Sequence, residues 1–233
     1  MIKNYLVIVL YEVQEKLYGK AVTEDYRYLA ELCLESFRKN LLGKYEIITI
    51  QGLAKTYHEV FRNKFYALRE IHTSEECNIF YVDLDNFCIK ETEIFGRFDQ
   101  LELFCISADT GYRGVLDGAV PTERLQFTEP WFVTNVKYFP ASMDKNLWMI
   151  GEEIVKDWVD TWAYECLVYN YMFHCQGIEN MQSHHMPWYS YQAPVRGSYP
   201  NTIKFKEAKI IHLHSTRGAK KTIEIMNEWR RFL

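Results

Sequence analysis

Two aspartates separated by one residue follow a short apolar run in N-I-F-Y-V-D-L-D-N-F, the segment that begins at Asn78. The run predicts a buried strand that ends at Asp83. Side chains two residues apart in an extended segment point to the same side, so Asp83 and Asp85 can face one hard cation whose other ligands are phosphate oxygens. A divalent ion held in this way, Mn²⁺ or Mg²⁺, neutralises a leaving diphosphate.

The same pattern allows two other interpretations. Two solvated carboxylates at a strand end need no ligand. A phosphohydrolase would carry D-x-D-x-T after the strand and attack phosphate with the first aspartate. Here Asn86 and Phe87 follow Asp85, and no later acidic pair of the G-D-x-x-x-D kind accompanies it. The sequence context therefore favours the metal–diphosphate interpretation over hydrolysis.

A second polar group follows the aliphatic run of I-I-H-L-H-S-T-R-G-A-K, which begins at Ile210. Strand alternation places His212 and His214 on one face. A neutral imidazole can complete the coordination of a metal that carboxylates already hold. Lys220 comes after a short loop and can bind a diphosphate as a point charge. The segment therefore predicts metal ligation and a diphosphate contact.

The composition is that of a globular chain with a high share of aromatic residues. Of 233 residues, 48% are hydrophobic, 25% are charged and 16% are aromatic, which fits one domain with a substantial core. The aromatic share weakly suggests surfaces that stack on sugars. The net charge of −4 gives no basic surface of the kind that a phosphate backbone requires, so no nucleic-acid partner is expected.

The apolar run from Tyr5 to Tyr11 is too short to span a bilayer, and no small-residue cleavage site follows it. It predicts a first strand instead. No other apolar run is long enough to cross a membrane, so we expect a cytoplasmic protein without a transmembrane segment. Peripheral contact with a membrane stays open, because a lipid-linked acceptor would lie there.

Short β-rich runs alternate with helical patterns, which predicts an α/β fold with a mainly parallel central sheet flanked by helices. A T-x-x-E capping box at Thr56 and Glu59 marks the start of one helix. Residues 176–209 lack periodicity and predict a long functional loop. The other predicted elements are strands at 4–10, 45–50, 78–82, 103–107, 131–139 and 209–213, and helices at about 24–42, within 151–175 and at 220–232.

In their order along the chain, these motifs resemble those of the retaining GT-A glycosyltransferases, a group that includes glycogenin and the bacterial lipopolysaccharide galactosyltransferases. Y-V-D-L-D resembles the strand-borne D-x-D of that family, and H-S-T-R-G-A-K resembles its terminal H-x5-K. F-V-T-N-V-K-Y-F-P-A-S is similar to F-N-A-G-V-x-x-F-P-x-S, with Val133 and Asn135 at the asparagine and glycine positions. E-C-L-V-Y-N-Y-M-F is similar to D-Q-x-L-L-N-x-x-F, with Glu165 and Cys166 at the acid and amide positions.

The resemblance implies roles for individual residues. It makes His214 the metal ligand, with His212 as the alternate, and Lys220 the diphosphate clamp. Lys64 corresponds to the helix lysine or arginine that reaches donor phosphate or sugar. Tyr11 corresponds to the residue that contacts the base or ribose. A snorkelling lysine at a core edge and an ordinary strand-end tyrosine are the structural alternatives for these last two residues.

The implied reaction transfers a hexosyl unit from a nucleoside diphosphate sugar, with UDP as the expected nucleotide, to the hydroxyl of a carbohydrate or glycoconjugate. An inverting enzyme needs a carboxylate base, for which Glu165 and Asp109 are the candidates. A retaining enzyme needs none, and the resemblance favours retention. A D-x-D phosphohydrolase and a non-catalytic nucleotide- or carbohydrate-binding protein of the same fold are the alternative functions.

The chain is expected to form a single domain over residues 1–233. Its first half, 1–107, would bind the nucleotide and contain the two aspartates. Its second half, 108–233, would lie on the acceptor side and contribute the C-terminal metal and phosphate motif.

Overall fold

The computed structural model describes residues 2–14, 24–106, 132–156, 163–176, 190–192, 208–213 and 219–229, and the statements below concern those residues. The strands are β1 (Lys3–Val13), β2 (Leu41–Leu42), β3 (Glu46–Ala54), β4 (Cys77–Val82), β5 (Asn86–Cys88), β6 (Thr92–Glu93), β7 (Glu102–Ile106), β8 (Phe132–Phe139), β9 (Ser190–Gln192) and β10 (Ile210–His212). The helices are α1 (Glu24–Asn40), α2 (Tyr57–Ser74), α3 (Asn146–Lys156), α4 (Ala163–His174) and α5 (Ala219–Trp229).

The central sheet has five strands in the order β3-β1-β4-β8-β7. β1 is parallel to β3 and β4, whereas β8 is antiparallel to both β4 and β7. Four strands therefore run in one direction and β8 runs against them, which confirms the predicted α/β class. The carboxyl ends of β1, β3 and β4 form one edge of the sheet, where open α/β sheets bind ligands.

Two hydrophobic cores cover the two faces of the sheet. The residues of β4 alternate between them: Ile79 and Tyr81 lie in the core beneath α2, α3 and α4, and Phe80 lies in the core beneath α1. This alternation follows from the two-residue period of a strand with both faces buried. Consequently the side chain of residue 83, just beyond the strand, is directed toward the α2 face.

The capping signal predicted at the start of α2 is confirmed. Thr56 Oγ1 accepts a hydrogen bond from the amide of Glu59 at 3.2 Å. Glu59 Oε2 in turn accepts from the amide of Lys55 at 2.5 Å, one residue earlier than in a standard capping box. The cap fixes where the helix begins, and the helical period then places Lys64 in the buried row with Phe65.

The single helix predicted within residues 151–175 is wrong, because two helices, α3 and α4, occupy this part of the chain. α3 begins earlier than predicted, since Asp144 Oδ1 accepts from the amide of Asn146 at 2.9 Å and caps the first turn. α3 and α4 approach closely at Gly151. A Cβ atom there would lie 2.7 Å from Met172 Sδ and 2.8 Å from Phe65 Cε2.

A smaller sheet joins the C-terminal part of the chain to the end of β4. β10 is antiparallel to β5 and parallel to β9. Among the described residues, no helix is long and apolar enough to cross a membrane. The division into two halves at residue 107 stays a prediction.

Candidate active site

A tight turn follows β4 and separates the two aspartates. The amide of Asn86 donates to the carbonyl of Asp83 at 3.1 Å, and Asn86 Nδ2 donates to Asp85 Oδ1 at 3.2 Å. The prediction of an extended segment through both aspartates is therefore wrong. Asp83 contacts Lys64, whereas Asp85 contacts His212. That both carboxylates share one cation stays a prediction.

Lys64 of α2 bridges two carboxylates from different parts of the chain. Its Nζ lies 3.1 Å from Asp83 Oδ1 and 2.5 Å from Glu165 Oε1 of α4. The exposed fraction of the side chain is 2% for Lys64, 7% for Glu165 and 32% for Asp83. The bridge therefore connects a partly exposed carboxylate at the edge of the sheet to a buried one.

A second lysine, Lys137 of β8, completes this group. Its Nζ donates to the same Oε1 of Glu165 at 3.0 Å and lies 4.2 Å and 4.3 Å from the ring centroids of Tyr81 and Tyr169. The Tyr81 hydroxyl also donates to Asp83 Oδ1. Two ammonium groups thus balance two carboxylates. We call these four residues the buried ion quartet: Lys64, Asp83, Lys137 and Glu165.

Burial and charge act in opposite directions within the quartet. Desolvation raises the pKa of Glu165, but Lys137 and Lys64 outweigh it and hold that pKa below its usual value. At Asp83 desolvation outweighs the effect of Lys64 and raises the pKa, although the solvent at its exposed side moderates this rise. Desolvation lowers the pKa of Lys137 to about 8. Glu165 is therefore held as a carboxylate.

His212 reaches the other aspartate from the C-terminal part of the chain. The register of β10 against β5 places it opposite Asn86, and the amide of Leu213 donates to the Asp85 carbonyl at 2.9 Å. His212 Nε2 lies 3.2 Å from Asp85 Oδ2. Desolvation lowers the pKa of His212, but the charge and hydrogen bond of Asp85 outweigh it and raise the pKa overall.

The donor chemistry at Asp85 and His212 fits a divalent ion. Carboxylate oxygen and imidazole nitrogen are both ligands for Mn²⁺, and Mg²⁺ is commonly bound by one or two carboxylates together with substrate phosphates. Within the described ranges, no group of three or more His, Cys, Asp or Glu side chains is arranged for a metal. An ion at this pair would take further ligands from a bound diphosphate.

The remaining predicted site residues lie apart from the quartet or outside the described ranges. Tyr11 lies within β1, and its ring packs so closely on Gly52 that a Cβ atom there would lie 2.6 Å from Tyr11 Cε1. Lys220 is exposed at the start of α5. His214 and Asp109 lie outside the described residues, so their roles stay predictions.

A cavity of about 700 Å³ lies beside Tyr11, between α1 and the carboxyl halves of β1 and β3. Polar side chains from both strands and the helix line it together with apolar ones: Glu12, Arg27, Glu31, Thr49 and Gln51. A cavity of this volume is large enough for a nucleoside. The quartet does not line it, but β4 is the next strand in the sheet.

The long loop predicted at 176–209 is described at its two ends and at Ser190–Gln192, where the backbone forms β9 beside β10. The ranges 177–189 and 193–207 lie outside the described residues. Its predicted role on the acceptor side stays a prediction.

No family model matches this chain, and no curated protein matches it. Two solved glycosyltransferase structures share its architecture. WbbM, a bifunctional glycosyltransferase, superposes over 91% of the chain with a TM-score of 0.55 at 12% identity. Mouse xyloside xylosyltransferase 1 superposes over 91% of the chain and 98% of its own length, with a TM-score of 0.51 at 10% identity. The chain spans 45% of the length of WbbM.

The chain therefore shares the fold of these two glycosyltransferase structures. At these identities the likeness concerns the fold, and the identity of the reacting groups comes from the site itself. The site brings together Asp83, Lys64 and Glu165 in one group and Asp85 with His212 in another.

Sequence reasoning missed three residues of the site. Lys137 interrupts an apolar run in F-V-T-N-V-K-Y-F, and a charged residue in the centre of a buried strand is a signal that a partner lies nearby. In the sequence Tyr81 is one of several apolar residues of a strand, and Asn86 indicates only that the D-x-D-x-T pattern of a hydrolase is missing. The functional contacts of these two residues depend on the turn after β4, which no local pattern predicted.

Proposed function

We propose that this chain transfers a hexosyl unit from a nucleoside diphosphate sugar to a hydroxyl group of a carbohydrate or glycoconjugate, with UDP as the expected nucleotide. One observation carries the proposal. Asp83 and Asp85 lie at the carboxyl edge of a sheet that has the fold of a glycosyltransferase. The carboxylate of Asp83 contacts Lys64, and that of Asp85 contacts His212.

The position of the cavity supports a nucleotide donor. A nucleoside in the cavity beside Tyr11 would lie against β1, and its diphosphate would extend across the sheet edge toward the end of β4. There the ammonium of Lys64, although paired, supplies positive charge next to the partly exposed Asp83. Lys220 is exposed at the start of α5, and in this proposal it would bind the diphosphate as a further cation.

Asp85 and His212 are the residues that would hold a divalent ion, Mn²⁺ or Mg²⁺. Such an ion, when bound, supplies the charge that stabilises a leaving diphosphate. Asn86 orients Asp85 through its side-chain amide, and the backbone bond from Leu213 fixes the strand that positions His212. The contact with Asp85 favours His212 over His214 as the ligand in this proposal.

The surroundings of Glu165 support retention of configuration. Its Oε1 accepts from two ammonium groups, and 7% of the side chain is exposed. A general base must reach the proton of the acceptor hydroxyl, and this carboxylate is better placed to orient Lys64. In a retaining transfer the leaving phosphate takes that proton, and no protein base is needed. Asp109 stays the other candidate base for an inverting reaction.

The proposal is tested by thermal unfolding with UDP, GDP, ADP and CDP, each with and without Mn²⁺, because a ligand that binds the native state raises its stability. We expect one nucleoside diphosphate to raise the melting temperature only with the metal. Incubation of the corresponding nucleotide sugars with simple glycoside acceptors should then release the nucleotide and form a glycoside.

Two results would contradict the proposal. Release of phosphate from phosphomonoesters without preference for nucleoside diphosphates would indicate the hydrolase. Tight binding of nucleotide or sugar without turnover of any donor would indicate the binding protein. The Asp85→Asn variant is the matched control, because it keeps the shape of the side chain and should lose the metal-dependent part of the shift.

A further inference from the structure

Lys137 is a buried cation that the proposed reaction does not use. It lies in β8 opposite Tyr81 of β4 and is fully buried. Its ammonium contacts Glu165 at 3.0 Å and lies over the rings of Tyr81 and Tyr169. A methionine or leucine would fill a central strand position without the cost of burying a charge, so the lysine at this position needs an explanation.

The explanation lies in the charge balance around Glu165. Both Lys64 and Lys137 donate to the same oxygen of Glu165, and Lys64 also contacts Asp83. With Lys137 present, the four charges of the quartet sum to zero. Without it, one ammonium would face two carboxylates. Glu165 is the more deeply buried of the two and is less solvated by water than Asp83. An ion pair therefore stabilises Glu165 more, and Lys64 would pair with it.

We propose that Lys137 is a positioning residue that acts through Glu165: it neutralises this carboxylate, so that Lys64 stays in contact with Asp83 at the sheet edge. In this arrangement Lys137 touches neither donor nor acceptor. The inference deepens the proposed function. Its test by nucleotide binding rests on that function, whereas its test by crystal structures of variants is independent of it.

Burial lowers the pKa of Lys137 to about 8, and the negative charges of Glu165 and Asp83 oppose this fall. The titratable groups around its ammonium are Glu165, Asp83, Lys64, Tyr81 and Tyr169, and of these Glu165 is the anion in direct contact. Glu165 therefore supplies the charge that keeps Lys137 protonated near neutral pH.

The structural test uses ligand-free crystals of Lys137→Met, which removes the ammonium and keeps a long apolar stem. We expect Lys64 Nζ to stay on Glu165 and to leave Asp83, so that the present separation of 3.1 Å is lost. In the double variant Lys137→Met/Glu165→Gln the competing charge is absent, and the contact between Lys64 and Asp83 should return. An unchanged contact in the single variant would overturn the proposal.

The binding test measures the affinity for UDP with Mn²⁺, and separately for uridine, by calorimetry. Lys137→Met should weaken UDP binding by about tenfold or more and leave uridine binding unchanged, because only the diphosphate end depends on Lys64. The double variant should recover most of the loss. Equal losses for UDP and uridine, or no recovery in the double variant, would indicate a general structural effect and overturn the proposal.

Lys145→Met serves as the control, because Lys145 contacts His72, which lies about two turns beyond Lys64 on α2. It should change stability and leave UDP affinity unaltered. Absence of UDP binding in the wild-type protein would count against the proposed function alone, and the crystal structures would still decide the role of Lys137. If Lys137→Met does not fold, the crystal structure of Glu165→Gln replaces it. A retained contact between Lys64 and Asp83 in that variant would support the proposal, and loss of the contact would overturn it.

Discussion

The ammonium of Lys64 lies between two carboxylates, 2.5 Å from Glu165 Oε1 and 3.1 Å from Asp83 Oδ1. The first of these partners lies in the interior and the second at the sheet edge. The same side chain therefore contributes to the stability of the fold and to the charge at the proposed donor site. Substitutions around it are expected to separate the two contributions.

Lys64→Met should lower the free energy of unfolding by about 3–5 kcal/mol, the usual effect of removing one partner from a buried ion pair. It should also weaken binding of a nucleoside diphosphate. Urea denaturation and calorimetry measure the two effects. Lys44→Met, at an exposed position, is the control and should change neither. A stable Lys64→Met protein that binds nucleotide normally would contradict both expectations.

Asp83→Asn and Asp85→Asn should both fold, since each keeps the shape of its side chain. We expect Asp85→Asn to lose the Mn²⁺ dependence of nucleotide binding, because Asp85 is the carboxylate beside His212. Asp83→Asn should weaken diphosphate binding through Lys64. Melting curves with and without Mn²⁺ report both effects. Full turnover by both variants in metal-free buffer would show that neither aspartate serves a metal.

His212→Ala should cause a larger loss of metal-dependent nucleotide binding than His214→Ala, because His212 Nε2 lies 3.2 Å from Asp85 Oδ2. Titration of each variant with Mn²⁺ at saturating nucleotide measures the apparent metal affinity. Uridine binding, which needs no metal, is the control for folding. A larger loss in His214→Ala than in His212→Ala would identify His214 as the metal ligand, as the sequence resemblance implies.

His72 should make stability fall in mild acid. Burial, with a smaller contribution from Lys145, lowers its pKa from 6.5 to about 4 in the folded chain. The unfolded chain therefore binds an extra proton between these values, and stability is present above pH 6.5 and lost as the pH falls toward 4. The loss is on the order of 3 kcal/mol. Denaturation curves of wild type and His72→Gln across this range should differ in slope, and parallel curves would exclude this role.

Gly151→Ala should destabilise the contact between α3 and α4. The new Cβ would meet Met172 Sδ at 2.7 Å and Phe65 Cε2 at 2.8 Å, and overpacking of this kind costs about 1–3 kcal/mol. The better helix propensity of alanine offsets roughly 1 kcal/mol of this cost. Thermal unfolding measures the net change. Glu153→Ala, on the exposed side of the same helix, should be nearly neutral.

The sequence predicted the elements that depend on local signals. The cap at Thr56 and the apolar run of β4 are each specified within a few residues, so both appear where they were expected. The start of α3 was missed although local signals mark it: Asp144 caps the first turn, and an apolar row at helical spacing that begins at Leu147 follows the cap.

The contacts of the site could be predicted less well, because they join distant parts of the chain. Motif spacing identified Asp83, Lys64 and Glu165 separately, but only packing of α2 and α4 against the sheet places them in one group. Lys137 stands at a variable position of the segment F-V-T-N-V-K-Y-F-P-A-S, so the resemblance implied no role for it. The turn after Asp83 could not be read from a D-x-D pattern, since it depends on side-chain hydrogen bonds of Asn86.

The pairing of β10 with β5 has a consequence for the order in which the protein folds. Asn86 and His212 are strand partners although they lie far apart in the sequence, and closing so long a loop carries a large entropic cost until other contacts have formed. The central strands can associate before this pairing exists. We therefore expect the contact between His212 and Asp85 to form after the central sheet, which would make this part of the site the later one to be completed.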